Sequence, residues 1–418
     1  MVELGNELAE PGLETKFPGT LSDYTFLWDR LNTGPAKRSS LADWIATLQN
    51  HDSGHAIDRW RSGRGTVWLV AALSSANPKD SAVPELIAEA RKLRPDNPAY
   101  ATGAYHGIRL EIARGEAEEA RRWAEEALAS RLPRAAENGI RAERMSIARD
   151  WAEFLRDAAR NPVADQEEEP TDTAQRRPAF DHDVTDVLNQ RVPLALWADG
   201  STNRLLPVNL QGDIAQAGWV RAVLLDRTPE AAVLARQTAA LRPELAAGLQ
   251  AYTNEKSPEA ARFAAVLLML RTPGLQPVVR TGVGRETKVG QLDEFRDNWW
   301  RLSIPQPGDY FSNYTAGSAS PSPAGFLPEA QRAEGRRQWD ALVAAAGTSA
   351  NYLCAQTLAW ARKHPDDARV PEALHLAVQT THYSATDSAT TSYSRQAFQL
   401  LHTRYPKSPW TEKTKYWY

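Results

Sequence analysis

Two histidines four residues apart, His51 and His55 in NHDSGHAIDRW, have the spacing that sets two imidazoles beside one metal on a helix face. The zinc-protease pattern also needs a glutamate next to the first histidine, and here Asp52, Ser53 and Gly54 intervene. Gly54 weakens the helix that the spacing presumes, so the pair reads as a capped turn or a surface pair. A second group, FDHDVTD from Phe180 to Asp186, offers Asp181, His182, Asp183 and Asp186 to a cation. Acidic residues ahead of a helix also cap it and face the positive end of its dipole. This group precedes the helical run VTDVLNQRVPLALW, which makes capping the preferred reading. The glycines and Lys288 of TGVGRETKVG, Thr281 to Gly290, suggest a phosphate-cradling loop, but no lysine is followed there by serine or threonine and no strand leads in, so it reads as a connecting turn. Cys354 in NYLCAQTLAW lies in a helical run with no histidine beside it, and no GxSxG elbow occurs. The expectation is no catalytic residue, no metal site and no cofactor.

Aromatic residues are the remaining candidates. The chain has 14 tryptophans. Trp44, Trp123, Trp151, Trp219, Trp339 and Trp360 fall in helix-like runs, where a large ring fills the space between helices. Trp299 and Trp300 are adjacent, so on a helix they point apart, and Tyr310, Phe311 and Tyr314 follow in a loop. These five form the candidate partner-binding site, with one face of the cluster expected in solvent. The same region holds Glu286, Asp293, Glu294, Asp297 and Asp309, from which a carboxyl pair for glycoside hydrolysis would have to come, although nothing singles out a pair.

The elements that would position these groups read as helices. Alanine, leucine, glutamate and arginine dominate, and alternating β-branched runs are few. Pro84-Glu85, Pro229-Glu230, Pro258-Glu259, Pro328-Glu329 and Pro371-Glu372 each precede an amphipathic run. Proline suits the first helical position because its missing N–H needs no partner, and glutamate faces the positive dipole end. Thr228 and Ser257 stand before two of these prolines, where a hydroxyl can accept a free backbone N–H. Composition changes at NPVADQEEEPTDTAQRRP, Asn161 to Pro178, and at IPQPGDYFSNYTAGSASPSPAGFLP, Ile304 to Pro328. The breaks imply a partly helical segment over 1–60, a helical domain over 61–160, a linker over 161–180, middle helical repeats over 181–303, one long irregular loop over 304–328 and C-terminal helices over 329–418.

TPEAAVLARQTAALR from Thr228 and SPEAARFAAVLLMLR from Ser257 match in cap, proline, glutamate and alanine pair at an offset of 29 residues. WARKHPDDARVPEAL around Pro365 corresponds loosely to LLHTRYPKSPWTEKT around Pro406. In GEAEEARRWAEEAL, Gly115 to Leu128, a turn glycine is followed by alanines at 117, 120, 124 and 127 on one stripe, with Glu118, Arg122 and Glu126 opposite. This segment resembles the second half of a tetratricopeptide repeat, and ARKLRPDNPAY, Ala90 to Tyr100, resembles that repeat's closing helix, proline and turn. The match departs in the long spacing from Pro95 to Gly115 and in Ala104, Gly107 and Ile108, which replace the usual landmarks. It covers residues 81–131 and 355–412; the middle is helical by pattern alone. The segments HPDD and YPKSPW are similar to turns in bacterial cell-envelope repeat proteins, including outer-membrane barrel-assembly lipoproteins. The resemblance implies an all-α chain, an α-solenoid of antiparallel helix pairs, and protein interaction as its use.

Bulk properties exclude some classes. A formal charge of -3 from 49 basic and 52 acidic residues gives no footprint for nucleic acid or anionic membrane. The most apolar run, Ala264 to Leu270, falls far short of the about 20 residues a membrane span needs. The opening residues carry no basic stretch followed by an apolar one, so the sequence as written is expected in the cytoplasm, or in the periplasm or cell envelope if a leader precedes it. The functional expectation is a non-enzymatic scaffold for a protein or peptide partner. Two other classes stand beside it: a cell-wall-active enzyme with a helical superstructure, and a self-assembling subunit in which the aromatic tail Lys415 to Tyr418 drives self-association.

Overall fold

A computed structural model describes residues 17–30, 40–163, 177–282, 298–302, 324–384 and 386–418. Among them are twenty α-helices and no strand; two isolated antiparallel bridges, Arg160 with Ala179 and Arg301 with Thr348, are the extended pairings. The all-α expectation therefore holds. No helix among the described residues is long and apolar enough to cross a membrane.

Several helices begin where a side chain satisfies one of the first free N–H groups. The Asp52 carboxylate accepts from His55 N at 3.0 Å, Asp150 from Glu153 N at 2.8 Å and Ser257 Oγ from Ala260 N at 3.2 Å. Thr228 does not cap as expected: it is the first residue of its helix, and Arg227 stands before it without a side-chain cap.

The chain divides into two compact units, residues 1–147 and 148–418. The first holds α1 (Phe17–Arg30), α2 (Ser40–Gln49), α3 (Ser53–Gly63), α4 (Thr66–Ser75), α5 (Val83–Ala90), α6 (Tyr100–Ala113), α7 (Ala117–Leu128) and α8 (Arg134–Ser146). From α2 to α8 each helix packs on the next. In addition α2 touches α4, α4 touches α6 and α6 touches α8, so these four lie side by side. Gly115, at φ 83°, makes the α6–α7 turn, where the left-handed backbone lets Glu116 N reach Glu111 O at 2.9 Å. The stripe read from the sequence is buried at Ala120, Ala124 and Ala127, while Glu118, Arg122 and Glu126 are exposed. Trp123 fills the α6–α7 interface, and Arg91 lies over its ring at 4.5 Å while pairing with the buried Glu111 at 2.8 Å.

The second unit holds α9 (Trp151–Ala158), α10 (His182–Arg191), α11 (Leu194–Gly200), α12 (Val208–Leu224), α13 (Thr228–Leu241), α14 (Ala246–Thr253), α15 (Pro258–Arg271), α16 (Glu329–Ala346), α17 (Ser349–Lys363), α18 (Val370–Tyr383), α19 (Thr390–Arg404) and α20 (Pro409–Lys413). From α11 to α15 successive helices pack together. The α15 helix then meets α17, and α17, α18, α19 and α20 continue the succession through α18. One large core runs through these helices, from Leu194 to Leu401. The α16 helix stands off the succession and packs on α10, α12 and α17. The acidic stretch read as a linker is bracketed inside this unit, because Arg160 and Ala179 exchange both backbone hydrogen bonds at 2.9 Å; its residues 164–176 lie outside the described set.

Candidate functional site

The structure sorts the sequence candidates by burial. Trp299 and Trp300 are 2% and 1% exposed, so neither ring offers the solvent face expected of it. Trp299 lies in a bend, and from Trp300 the segment is extended and lies along the α16–α17 turn, with Arg301 bridged to Thr348. Trp300 Nε1 donates to Ala346 O at 2.8 Å, Ser349 N donates to Trp300 O at 3.1 Å and Leu302 N donates to Gly347 O at 2.7 Å. The pair thus serves as a core plug that fastens this turn. Tyr310, Phe311 and Tyr314 lie outside the described residues, as do Glu286, Asp293, Glu294, Asp297, Asp309 and Lys288.

The two metal candidates resolve into caps and ion pairs. His51 sits in a left-handed turn at φ 52°, apart from helical geometry, and His55 turns its Nε2 to Asp43 at 2.9 Å, with Arg59 reaching the same carboxylate at 3.2 Å. In the second group Asp181 caps α10 by accepting from His182 N at 2.8 Å. Asp183 pairs with the buried Arg160 at 3.0 Å. Burial pushes the Asp183 carboxyl up and the Arg160 guanidinium down, while their mutual attraction opposes both shifts. Among the described residues no three histidine, cysteine or acidic side chains gather as metal ligands. Cys354 is buried and its thiol is pushed up to about 12 by that burial, so it stays protonated and is a poor nucleophile. Of the glycine-rich turn, Thr281 and Gly282 are described: Thr281 Oγ1 lies 2.9 Å from Thr185 Oγ1, and Gly282 N donates to Phe180 O at 2.9 Å.

Sequence reasoning missed a buried cation. Arg221 stands in α12, which is buried on every side from Ala217 to Leu224. Its guanidinium lies 4.3 Å from the Trp197 ring and 5.7 Å from Trp339. Its Nε donates to Pro277 O at 3.2 Å and its Nη2 to Asn189 O at 2.9 Å. Nη1 has no hydrogen-bond partner. Burial alone pulls this group down to about 9, still charged at neutral pH, so two carbonyl oxygens and the indole faces carry its solvation. The signal in the sequence was one arginine inside the apolar run GWVRAVLL.

Arg221 works with Asn189 to pin residues 277–279 on α10. The Asn189 side chain accepts from Val279 N at 2.9 Å and donates to Val279 O at 3.0 Å, as a neighbouring strand would. Asn189→Leu leaves both backbone groups of the buried Val279 without partners and is expected to cost about 2–4 kcal/mol of second-unit stability. Urea unfolding together with hydrogen exchange at the Val279 amide checks it; an unchanged midpoint and a still-protected amide would contradict the pinning role.

On the side-by-side row of the first unit, α6 carries Tyr105, His106 and Arg109, all half-buried. Arg109 Nη2 donates to Leu73 O and Ser74 O at 3.3 and 3.2 Å and so closes the free carbonyl end of α4. Burial, then the neighbouring Arg109, pulls the His106 imidazole down to about 4, which leaves it neutral at physiological pH. No protein-family model matches the chain, no curated protein matches it in sequence, and no solved structure matches it in fold.

Proposed function

We propose that the chain is a non-catalytic scaffold that holds a protein or peptide partner on the surface of a tetratricopeptide-like stack of helix pairs. The observation that supports the reading is the packing of the first unit, in which α2, α4, α6 and α8 touch in turn while α3, α5 and α7 are joined through them. Where each helix also touches the next but one, the alternate helices make a continuous row, and repeat proteins use such a row as a recognition surface. Along that row Tyr105, His106 and Arg109 of α6 lie half-buried. Tyr310, Phe311 and Tyr314 are a second proposed contact, on their aromatic character and spacing.

Affinity capture from the native cell, followed by titration of the purified partner, tests the reading. The triple variant Tyr310→Ser, Phe311→Ser and Tyr314→Ser is expected to keep its far-ultraviolet circular dichroism and to lose at least tenfold in partner affinity, equivalent to about 1.4 kcal/mol or more. Unaltered affinity removes those three residues from the surface. Absence of any saturable partner removes the scaffold reading altogether.

A second reading, self-association, draws on Tyr416, Trp417 and Tyr418, which remain 70%, 42% and 37% exposed. Light scattering at rising concentration separates the two, since a mass that stays monomeric leaves the tail without a self-assembling role.

A further inference from the structure

Residues 410–418 lie on α18 and α19, and three of the eight histidines of the chain touch them. At the centre is Thr414, the one buried residue between 412 and 418. Its hydroxyl donates to Trp410 O at 2.8 Å and lies 2.7 Å from His375 Nδ1, while His402 Nε2 lies 2.7 Å from Thr414 O. The hydroxyl has one proton, and Trp410 O takes it, so His375 donates from Nδ1; His402 faces a carbonyl oxygen and donates from Nε2. Beyond this clasp the His382 ring stacks on Tyr418 at 3.9 Å, Tyr418 N donates to Ser394 Oγ at 3.0 Å, and Arg395 lies over Trp417 at 5.8 Å.

We propose that residues 410–418 form a latch, clasped at Thr414 by His375 from α18 and His402 from α19, which acidification opens by placing a second proton on His375.

The surroundings of His375 set the direction. The ring is half-buried and tilted against Trp410 at 5.1 Å, and Lys413 of α20 already holds its ammonium over that indole at 4.5 Å. A cationic imidazole therefore meets both a desolvated site and a like charge. On its own helix Glu372 would favour the cation, but Arg271 from α15 holds both its oxygens at 2.7 and 2.5 Å. From α19 the group facing the clasp is His402 itself, stacked on Phe398 at 4.0 Å. Burial first, then Lys413, keep His375 below its ordinary 6.5, with Glu372 opposing. A depressed folded value means that the unclasped form binds the proton more tightly. The stability of the seated latch is therefore complete above pH 6.5 and is lost as pH falls through the lower, folded value. Opening frees Trp410, Trp417 and Tyr418 together, so the device exposes aromatic surface in acid and covers part of it at neutral pH.

Hydrogen exchange of the full chain at pH 7.5 and 5.0, corrected for the intrinsic pH dependence of exchange, tests the latch. The amide of Thr414, bonded to Trp410 O at 3.1 Å, is expected to lose at least about twofold in protection at pH 5.0 while α12 and α17 keep theirs. His375→Gln still donates to the Thr414 hydroxyl and does not titrate, so it is expected to hold protection at both pH values. Unchanged wild-type protection overturns the proposal, as does a His375→Gln chain that opens in acid like the wild type. Should that variant fail to fold, the wild-type nuclear magnetic resonance titration decides: the His375 ring and the Trp410 indole N–H must share one midpoint, and separate midpoints overturn it.

Discussion

Gly335→Ala should unfold the second unit or strip it of about 3–5 kcal/mol, the sum of overpacking against rigid atoms and of one buried N–H left unpaired. A β-carbon at Gly335 would stand 2.0 Å from Arg191 O and 2.4 Å from Arg191 C. These are backbone atoms at the end of α10, so no side-chain rotation relieves the overlap, and α16 must move away. One turn on, Gln338 accepts from Leu194 N at 2.9 Å and thereby satisfies the first free N–H of α11. Moving α16 withdraws that acceptor from a buried donor. Gly63→Ala sets the opposite sign as a control: nothing lies within 4 Å of its β-carbon position, it ends α3 on the exposed side, and alanine there should add about 0.5–1 kcal/mol to the first unit. Urea unfolding of both variants measures the contrast. A Gly335→Ala chain as stable as the wild type would mean that α16 does not sit against the end of α10.

The contrast between these glycines bears on what the sequence makes legible. Local chemistry reads well: the Pro-Glu starts all stand at helix beginnings, Asp52 and Asp181 are caps, and the alanines at 120, 124 and 127 face inward. These features depend on residues within a turn or two of each other. Features that depend on distant chain do not read. The adjacency of Trp299 and Trp300 implies opposed directions only on a helix; outside a helix, beside the α16–α17 turn, both rings are covered. The position of α16 is equally silent, since its amphipathic pattern says that one face is buried but not that the face lies on α10 and α12. Arg221 marks the same limit. A charged residue in an apolar run signals either a solvent stripe or a buried clamp, and the choice depends on α10, α11 and α16 closing round α12. The aromatic cluster read from spacing divides for the same reason: Trp299 and Trp300 belong to the core, whereas Tyr310, Phe311 and Tyr314 lie outside the described residues.

The row of α2, α4, α6 and α8 depends on a second tight glycine, and the largest effect in the first unit is expected there. A β-carbon at Gly107 would stand 2.1 Å from Trp123 Cη2 and 2.2 Å from Cζ3. Here the obstacle is a side chain, which in principle can turn away. It is hemmed in by Arg91 at 4.5 Å, and Arg91 in turn holds Glu111, 3% exposed and with its second oxygen lacking a hydrogen-bond partner. Displacing Trp123 therefore either compresses the α6–α7 interface, at about 1–3 kcal/mol, or pulls Arg91 from a buried carboxylate, at about 3–5 kcal/mol. Gly107→Ala should accordingly cost more than Gly103→Ala, whose β-carbon meets at 2.8 Å a flexible leucine tip, Leu93 Cδ1. Coupling to Trp123 gives the sharper test. Trp123→Leu alone opens a cavity, yet in its presence Gly107→Ala fills space instead of colliding, so the double variant should be more stable than the sum of the single effects by about 1–3 kcal/mol. A strictly additive cycle would mean that Trp123 does not lie on Gly107, and with it would go the close α6–α7 pairing. Partner affinity followed in the same four chains then separates shape from chemistry: if the row of α2, α4, α6 and α8 is the recognition surface, affinity falls with Gly107→Ala and recovers in the double variant, although both residues are buried.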